Sequence, residues 1–206
     1  MLIFLRHNLA YLATPKTGTT AVEMALRRYA EIVFAKNRKH VTAARYARKV
    51  APFLEDAFGI RPDSVAVMRQ PIDQIASWYR YRQASRLLGT PLSTAGVSFD
   101  TFVAEVIADA PPPRAEIGSQ FKFLTDGRGE VMANHVFAYE AQVAFRGFLS
   151  ERLKTDVQLK VKNASSTASC KLSPETEERL REARAADFAL YEAVLAAGGH
   201  FVTPGL

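Results

Sequence analysis

Hydrophobic positions along this chain follow two rhythms. Compact, mostly apolar runs at Leu9 to Ala13, Glu31 to Ala35, Ser64 to Met68, Val131 to Tyr139 and Val157 to Val161 suit buried strands. Between them, apolar residues recur every three or four positions, as at Val22, Ala25, Leu26 and Tyr29 within Ala21 to Tyr29. The same spacing predicts a helix from an N-cap at Thr42 to about Phe58, ended by Gly59 to Pro62, and one from Pro71 through Trp78 towards Leu88. It also predicts an amphipathic helix over Ala141 to Leu153 and a long charged one over Pro174 to Ala197, stopped by Gly198-Gly199. Strands alternating with helices imply an α/β fold, a three-layer sandwich whose central parallel sheet is flanked by helices on both faces.

The middle of the chain breaks this alternation. Gly89 to Ser98 is rich in turn residues, Phe99 to Ala108 is helical in pattern, and Ala110-Pro-Pro-Pro-Arg114 is a stiff exposed loop. We read residues 89–114 as an insertion in a single domain spanning 1–206. The opening Met1-Leu-Ile-Phe-Leu5 is cut short by Arg6-His-Asn8, too early for a signal-peptide core.

Composition narrows the partners. The 206 residues are 48% hydrophobic and 23% charged, enough for a full core, with a net charge of +6. A pI near 9.5 points to an anionic partner, although charge alone does not separate a nucleotide from a polysaccharide or a nucleic acid. The basic residues lack the interleaved aromatics of single-strand binders, which argues against nucleic acid. One cysteine, Cys170, excludes an intrachain disulfide, and no Cys/His cluster has zinc-ligand spacing. No apolar run approaches the roughly 18 residues of a membrane span, so the expectation is a soluble, cytoplasmic protein. Oligomeric state leaves no trace in the sequence.

The chemistry concentrates at two strand-to-helix turns. In the first, Leu12-Ala-Thr-Pro-Lys-Thr-Gly-Thr-Thr20 joins the Leu9 strand to the Ala21 helix. A helix start leaves amides unpaired and favours anions. Gly18 lets the backbone approach a ligand, Lys16 adds a point charge, and Thr17, Thr19 and Thr20 add hydroxyls. The plain alternative is an ordinary Thr-capped helix. In the second turn, Arg69 stands at the carboxyl end of the Ser64 to Met68 strand, Pro71 opens a helix, and Ser77 lies two turns into it. Arginine binds phosphate bidentately, and ligands of open α/β sheets sit outside the carboxyl ends of strands, where both turns would lie.

Pro15-Lys-Thr-Gly-Thr-Thr20 resembles the 5′-phosphosulfate loop of sulfotransferases that use 3′-phosphoadenosine 5′-phosphosulfate (PAPS). Arg69, Pro71, Ser77 and Tyr79 resemble their 3′-phosphate motif, with the Arg-to-Ser spacing, order and separation of that family. Shorter similarities to the carbohydrate-type and bacterial branch lie at Val136-Phe-Ala-Tyr-Glu140, Lys162-Asn-Ala-Ser165, and Asp187-Phe188 with Tyr191. Gln70, Gln74 and Ala21 depart from the family pattern beside the phosphate contacts. The resemblance implies a P-loop nucleotide-hydrolase-like fold and transfer of a sulfuryl group from PAPS to a hydroxyl or amine of a carbohydrate or small-molecule acceptor. 3′-Phosphoadenosine 5′-phosphate is the product. It assigns Pro15, Lys16, Thr17, Gly18, Thr19 and Thr20 to the 5′-phosphosulfate, and Arg69 and Ser77 to the 3′-phosphate. Lys16 would also serve the leaving oxygen. No metal is expected, because fixed cations and amides can meet an anionic leaving group.

An acceptor hydroxyl must lose a proton, so a general base is required. His40 is the first choice: it follows the second strand on the carboxyl side of the sheet, and an ordinary histidine pKa suits the task. The plain alternative is a surface histidine in a basic run. His7, His135, His200 and Glu140 are weaker candidates, with His135 reading as a strand histidine and Glu140 as a structural partner. Two other classes compete. A P-loop kinase would need Gly-Lys followed by Ser or Thr, whereas Lys16 here precedes Gly18. A noncatalytic nucleotide- or polyanion-binding module would rest on basic charge alone.

Overall fold

A computed structural model describes residues 1–159 and 170–204. Six strands form one mixed sheet in the order β3-β1-β2-β4-β5-β6. They are β1 (Leu2–Phe4), β2 (Leu9–Leu12), β3 (Ile32–Val33), β4 (Asp63–Met68), β5 (His135–Ala138) and β6 (His200–Val202). The middle pairs β2–β4 and β4–β5 are parallel, whereas β1–β2, β1–β3 and β5–β6 are antiparallel. The parallel centre therefore matches the expectation, and the antiparallel edges do not. The missed strands explain the difference: β1 lies in the run before Arg6, and β6 follows the glycine stop. Each has only three residues, too few to show a period.

Along β1, β2, β4 and β5 the side chains alternate between two cores, as a pleated strand requires. Ile3, Ala10, Leu12, Ala66, Met68, Val136 and Ala138 face one way. Against them pack Ala43 of α2 (Ala43–Arg45), Leu54 of α3 (Ala51–Phe58), Leu124 of α6 (Gln120–Leu124) and Val194 of α9 (Ala185–Ala196). Leu2, Phe4, Leu9, Tyr11, Val65, Val67 and Phe137 face the other way, onto Val22 and Leu26 of α1 (Thr19–Leu26) and Phe145 and Leu149 of α7 (Gln142–Leu153). Helices thus cover both faces of the sheet. A third cluster joins Ile75, Ala76 and Tyr79 of α4 (Pro71–Arg82) to Phe99, Phe102 and Val103 of α5 (Phe99–Val106) and Leu180 of α8 (Pro174–Ala183). Each such Leu, Ile, Val or Phe contributes roughly 1.5–3 kcal/mol by leaving water, so the inserted segment is held by a core it shares with α4 and α8.

Several boundaries follow local chemistry. Thr42 caps α2 by accepting the amide of Arg45, and Gly59, at φ 68°, ends α3 in the left-handed region. Between them Tyr46–Val50 is π-helical and runs into α3, whose second residue is Pro52. Proline has no N–H for the preceding turn and its ring crowds the carbonyl there, which accounts for the widening. The long C-terminal helix is two, broken at Arg184, whose own dihedrals leave the helical region. The expected strand at Val157 to Val161 is not formed over 157–159, and its remainder, with Lys162, Asn163 and Ser165, lies outside the described residues. The expected strand from Val131 shrinks to β5, with Val131 making only an isolated bridge to Thr125. Among the described residues, no helix is long and apolar enough to cross a membrane.

Candidate functional site

The register brings the two turns together. Leu12 pairs with Ala66, and Met68 with Ala138, so the chain leaves β2, β4 and β5 at one end of the sheet through Thr14, Arg69 and Tyr139. Through β1, strand β3 runs in the same direction as β2, which brings the segment leading to His40 to that end as well.

The first turn is tightly closed and short of partners. Thr14 and Thr17 are buried, and the Thr17 hydroxyl donates to the Thr14 carbonyl at 2.9 Å. Thr17 therefore offers a ligand its amide, while its hydroxyl closes the loop. Lys16 and Gly18 both lie in the left-handed region, at φ 67° and 78°. For lysine this costs roughly 1–2 kcal/mol, a strain that the surrounding structure must hold. Gly18 occupies the N-cap of α1 without any side-chain cap, so this is not a Thr-capped helix start. Among the described residues, the amides of Lys16 to Thr20 donate to no carbonyl or side chain. A turn with left-handed residues running into a helix start gathers such N–H groups into an anion-binding hollow. Thr19 is buried at its edge and Thr20 is exposed.

Helix α4 roofs this turn. Gln74, Ser77, Trp78 and Tyr81 fall at i, i+3, i+4 and i+7, a single helix face. Gln74 Nε2 donates to the Pro15 carbonyl at 3.4 Å, and Lys16 Nζ lies 4.1 Å from the centre of the Tyr81 ring and 5.4 Å from that of Trp78. The helical register sets Ser77 among these contacts. Tyr79 turns the other way: it packs on Phe99 and Phe102, and its hydroxyl donates to the Val97 carbonyl, a structural role.

The electrostatics are one-sided. Burial comes first in lowering the Lys16 ammonium to about 8, followed by repulsion from Arg69, Arg86, Lys39 and Arg82. Among the described residues none of these five cations forms an ion pair with a carboxylate. Three buried donors nearby, Thr14 Oγ1, Arg69 Nε and Trp78 Nε1, also lack partners. A buried donor left unmatched costs about 1–3 kcal/mol, so the arrangement is suited to receive an anion.

Arg69 is held from two sides. Its guanidinium lies 4.6 Å from the centre of the Tyr139 ring, and Gln120 accepts its amide at 2.8 Å while donating to its carbonyl at 2.7 Å. Gln120 is absent from the sequence motifs, and Tyr139, although part of Val136 to Glu140, carried no sign in that motif of its place beside Arg69. Tyr139 had a usable signal, because it stands one residue past β5 as Arg69 stands one past β4. Gln120 had none, since an amide that clamps a distant backbone has no sequence period.

His40 is exposed and its Nδ1 lies 2.6 Å from the carbonyl of Ala13, directly before the loop. A carbonyl only accepts, so Nδ1 carries the proton and Nε2 keeps its lone pair. Desolvation is the largest influence and lowers the His40 pKa below its usual value, which favours the neutral ring. The other candidates have different company. His135 and His200 bond each other at 3.1 Å, Glu140 accepts from the Tyr191 hydroxyl at 2.7 Å, and His7 lies in the turn between β1 and β2. Among the basic side chains around the loop and the first helices, Arg27 pairs with Glu23 and Arg48 with Asp126, while Lys39 acts on both Lys16 and His40. Comparison of the chain with protein-family models, with curated proteins and with solved structures finds no match in any of the three.

Proposed function

We propose that this chain is a PAPS-dependent sulfotransferase of P-loop-like fold, transferring a sulfuryl group to a hydroxyl or amine of a carbohydrate or small-molecule acceptor. One observation carries the reading: two anion-ready turns, one around Lys16 and one at Arg69, open at the same end of adjacent parallel strands with no carboxylate partner among the described residues. A nucleotide with separate 5′ and 3′ anionic groups matches that pair. Lys16 and the amides of Lys16 to Thr20 would hold the 5′ group, with Pro15 shaping the turn, and Arg69 and Ser77 the 3′-phosphate. The donor supplies an activated sulfuryl group and an anionic leaving group.

The chain's own residues then have three tasks. Lys16 neutralises charge on the departing oxygen. His40 Nε2 accepts the acceptor's proton as the new oxygen–sulfur or nitrogen–sulfur bond forms and the old sulfur–oxygen bond breaks. Trp78 and Tyr81 wall the Lys16 side. Segment 89–114 is pinned to α4 beside that wall, by the Thr94 hydroxyl on the Tyr79 carbonyl and by Arg82 on the carbonyls of Pro113 and Arg114, which supports an acceptor-side role.

A melting experiment tests the reading. 3′-Phosphoadenosine 5′-phosphate should raise the melting temperature, and ATP with magnesium should not. The reverse pattern would favour a kinase, and no shift from either at millimolar concentration would reject nucleotide binding.

A further inference from the structure

Arg69 stands one residue beyond the last rung of the ladder, where Met68 pairs with Ala138 and Tyr139 donates to the Met68 carbonyl at 2.6 Å. Its own N–H and C=O would need new partners, since a buried backbone group is rarely left unpaired. Gln120 supplies both. Its side-chain amide acts as a single peptide of a neighbouring strand, accepting from Arg69 N–H and donating to Arg69 C=O.

Gln120 is 2% exposed and is itself fixed from elsewhere. The first amides of α6, those of Gln120 and Phe121, donate to Asp187 Oδ1 at 2.9 and 3.1 Å. The Ser119 hydroxyl donates to Asp187 Oδ2 at 2.7 Å. Asp187 is 6% exposed and belongs to the first turn of α9. A chain of contacts therefore runs from α9 through the start of α6 to the peptide from which the Arg69 side chain departs.

We propose, on the reading given under Proposed function, that Gln120 is a positioning residue that sets Arg69 for a nucleotide 3′-phosphate, with Asp187 holding Gln120 in place. Arginine's long side chain has many rotamers to lose, so holding the peptide it departs from helps to aim its planar fork. Freeing the peptide lets the guanidinium leave the Tyr139 ring, while the Thr17-to-Thr14 bond that closes the Lys16 loop involves neither Gln120 nor Arg69. The consequence is specific to one phosphate.

Calorimetric titration of 3′-phosphoadenosine 5′-phosphate and of 5′-AMP into wild type, Gln120→Met and Gln120→Glu tests this. Methionine keeps the size and removes both bonds. It should weaken the 3′-phosphorylated nucleotide about tenfold, the scale of one lost hydrogen bond, and leave 5′-AMP within about twofold. Gln120→Glu keeps the acceptor for Arg69 N–H but needs a proton to donate to Arg69 C=O. Its deficit relative to wild type should shrink as pH falls from about 8 to 5, because burial at this 2% exposed position raises a carboxyl above its ordinary value of about 4.3 and brings its protonation into that range. Equal losses for both nucleotides, or no loss, would overturn the proposal. If Gln120→Met does not fold, the pH profile of Gln120→Glu decides, and a flat profile overturns it. A wild type that does not prefer the 3′-phosphorylated nucleotide would reject the sulfotransferase reading itself, and this inference with it.

Discussion

The Tyr139 ring ties Gly18 to Arg69: its edge lies 3.2 Å from where a Cβ on Gly18 would stand, and its face lies 4.6 Å from the Arg69 guanidinium. The loop and the arginine therefore share one wall. Gly18→Ala places a methyl against that ring at a residue with φ 78°, which alanine adopts only with strain. We expect it to lower stability by about 1–2 kcal/mol in urea unfolding. It should also weaken nucleotide binding, because the ring must shift from beside Arg69. Full stability together with full affinity would show that the contact imposes nothing.

Arg69→Ala should weaken 3′-phosphoadenosine 5′-phosphate by about 1.5–3 kcal/mol, the range for a hydrogen bond to a charged group. Arg69→Lys restores the charge without the fork and should recover only part of the loss. Titration calorimetry on both variants separates the terms. An unchanged affinity in Arg69→Ala would remove this residue from the site.

How much of this was readable in advance depends on the range of each interaction. The loop at Pro15 to Thr20 and the arginine after β4 were visible because strand, turn and helix are consecutive in sequence, and so was the placing of His40. Tyr139 was half visible, as the residue after the next strand. Asp187 was visible as a short similarity, but its hold on the start of α6 was not; nor were Gln120 and the Trp78–Tyr81 slot around Lys16, since each depends on contacts between residues or elements that the sequence pattern does not pair. The same limit applies to the fold. Three-residue strands at β1 and β6 carry too little pattern, and the break at Arg184 interrupts a sequence that is helical on both sides.

The depressed ammonium of Lys16 gives the site a pH signature. Its value near 8 in the free protein reflects burial first and then four cations, which no anion among the described residues offsets. A bound phosphate supplies that anion and raises the value, so the complex keeps a proton that the free protein loses as pH climbs through about 8. Affinity should fall above that pH, with net proton uptake on binding at pH 8.5, seen as a dependence of the heat on buffer ionisation enthalpy. Lys16→Arg should bind without uptake. In the absence of ligand the unfolded chain holds this proton up to its ordinary 10.5, so the stability linked to Lys16 rises with pH between about 8 and 10.5. Binding that is flat in pH and takes up no proton would refute the account.

His40 is bonded at Nδ1 and open at Nε2, the state a general base needs. His40→Gln should lower turnover about 10²–10⁴-fold, the usual contribution of proton transfer. Its affinity for 3′-phosphoadenosine 5′-phosphate should stay within about twofold, because no phosphate contact is assigned to the ring. A radiolabelled donor with a pooled set of alcohol and amine acceptors measures the first, and calorimetry the second. Turnover at the wild-type level would reject His40 as the base.

At the far edge of the sheet a second histidine chemistry controls stability. His135 and His200 bond ring to ring at 3.1 Å across β5 and β6, and His200 stacks on Phe137 at 3.9 Å. Only one nitrogen of that bond can carry the proton, so two charged rings would face each other without an acceptor between them. Burial comes first in lowering both values, and His200 lowers His135 further; Asp63 pulls His135 the other way and Arg152 adds to the lowering. Both folded values therefore lie below the ordinary 6.5, and as pH falls through 6.5 the unfolded chain binds protons before the folded one does. Stability is full above that pH and declines below it. Wild type should lose melting temperature between pH 7 and pH 5 more steeply than His200→Phe, which keeps an aromatic ring on Phe137 but cannot charge. His40 titrates in the same window with the same sign in both proteins, so the difference between their slopes isolates the pair. Coincident slopes would show that the ring-to-ring bond carries no pH-dependent stability.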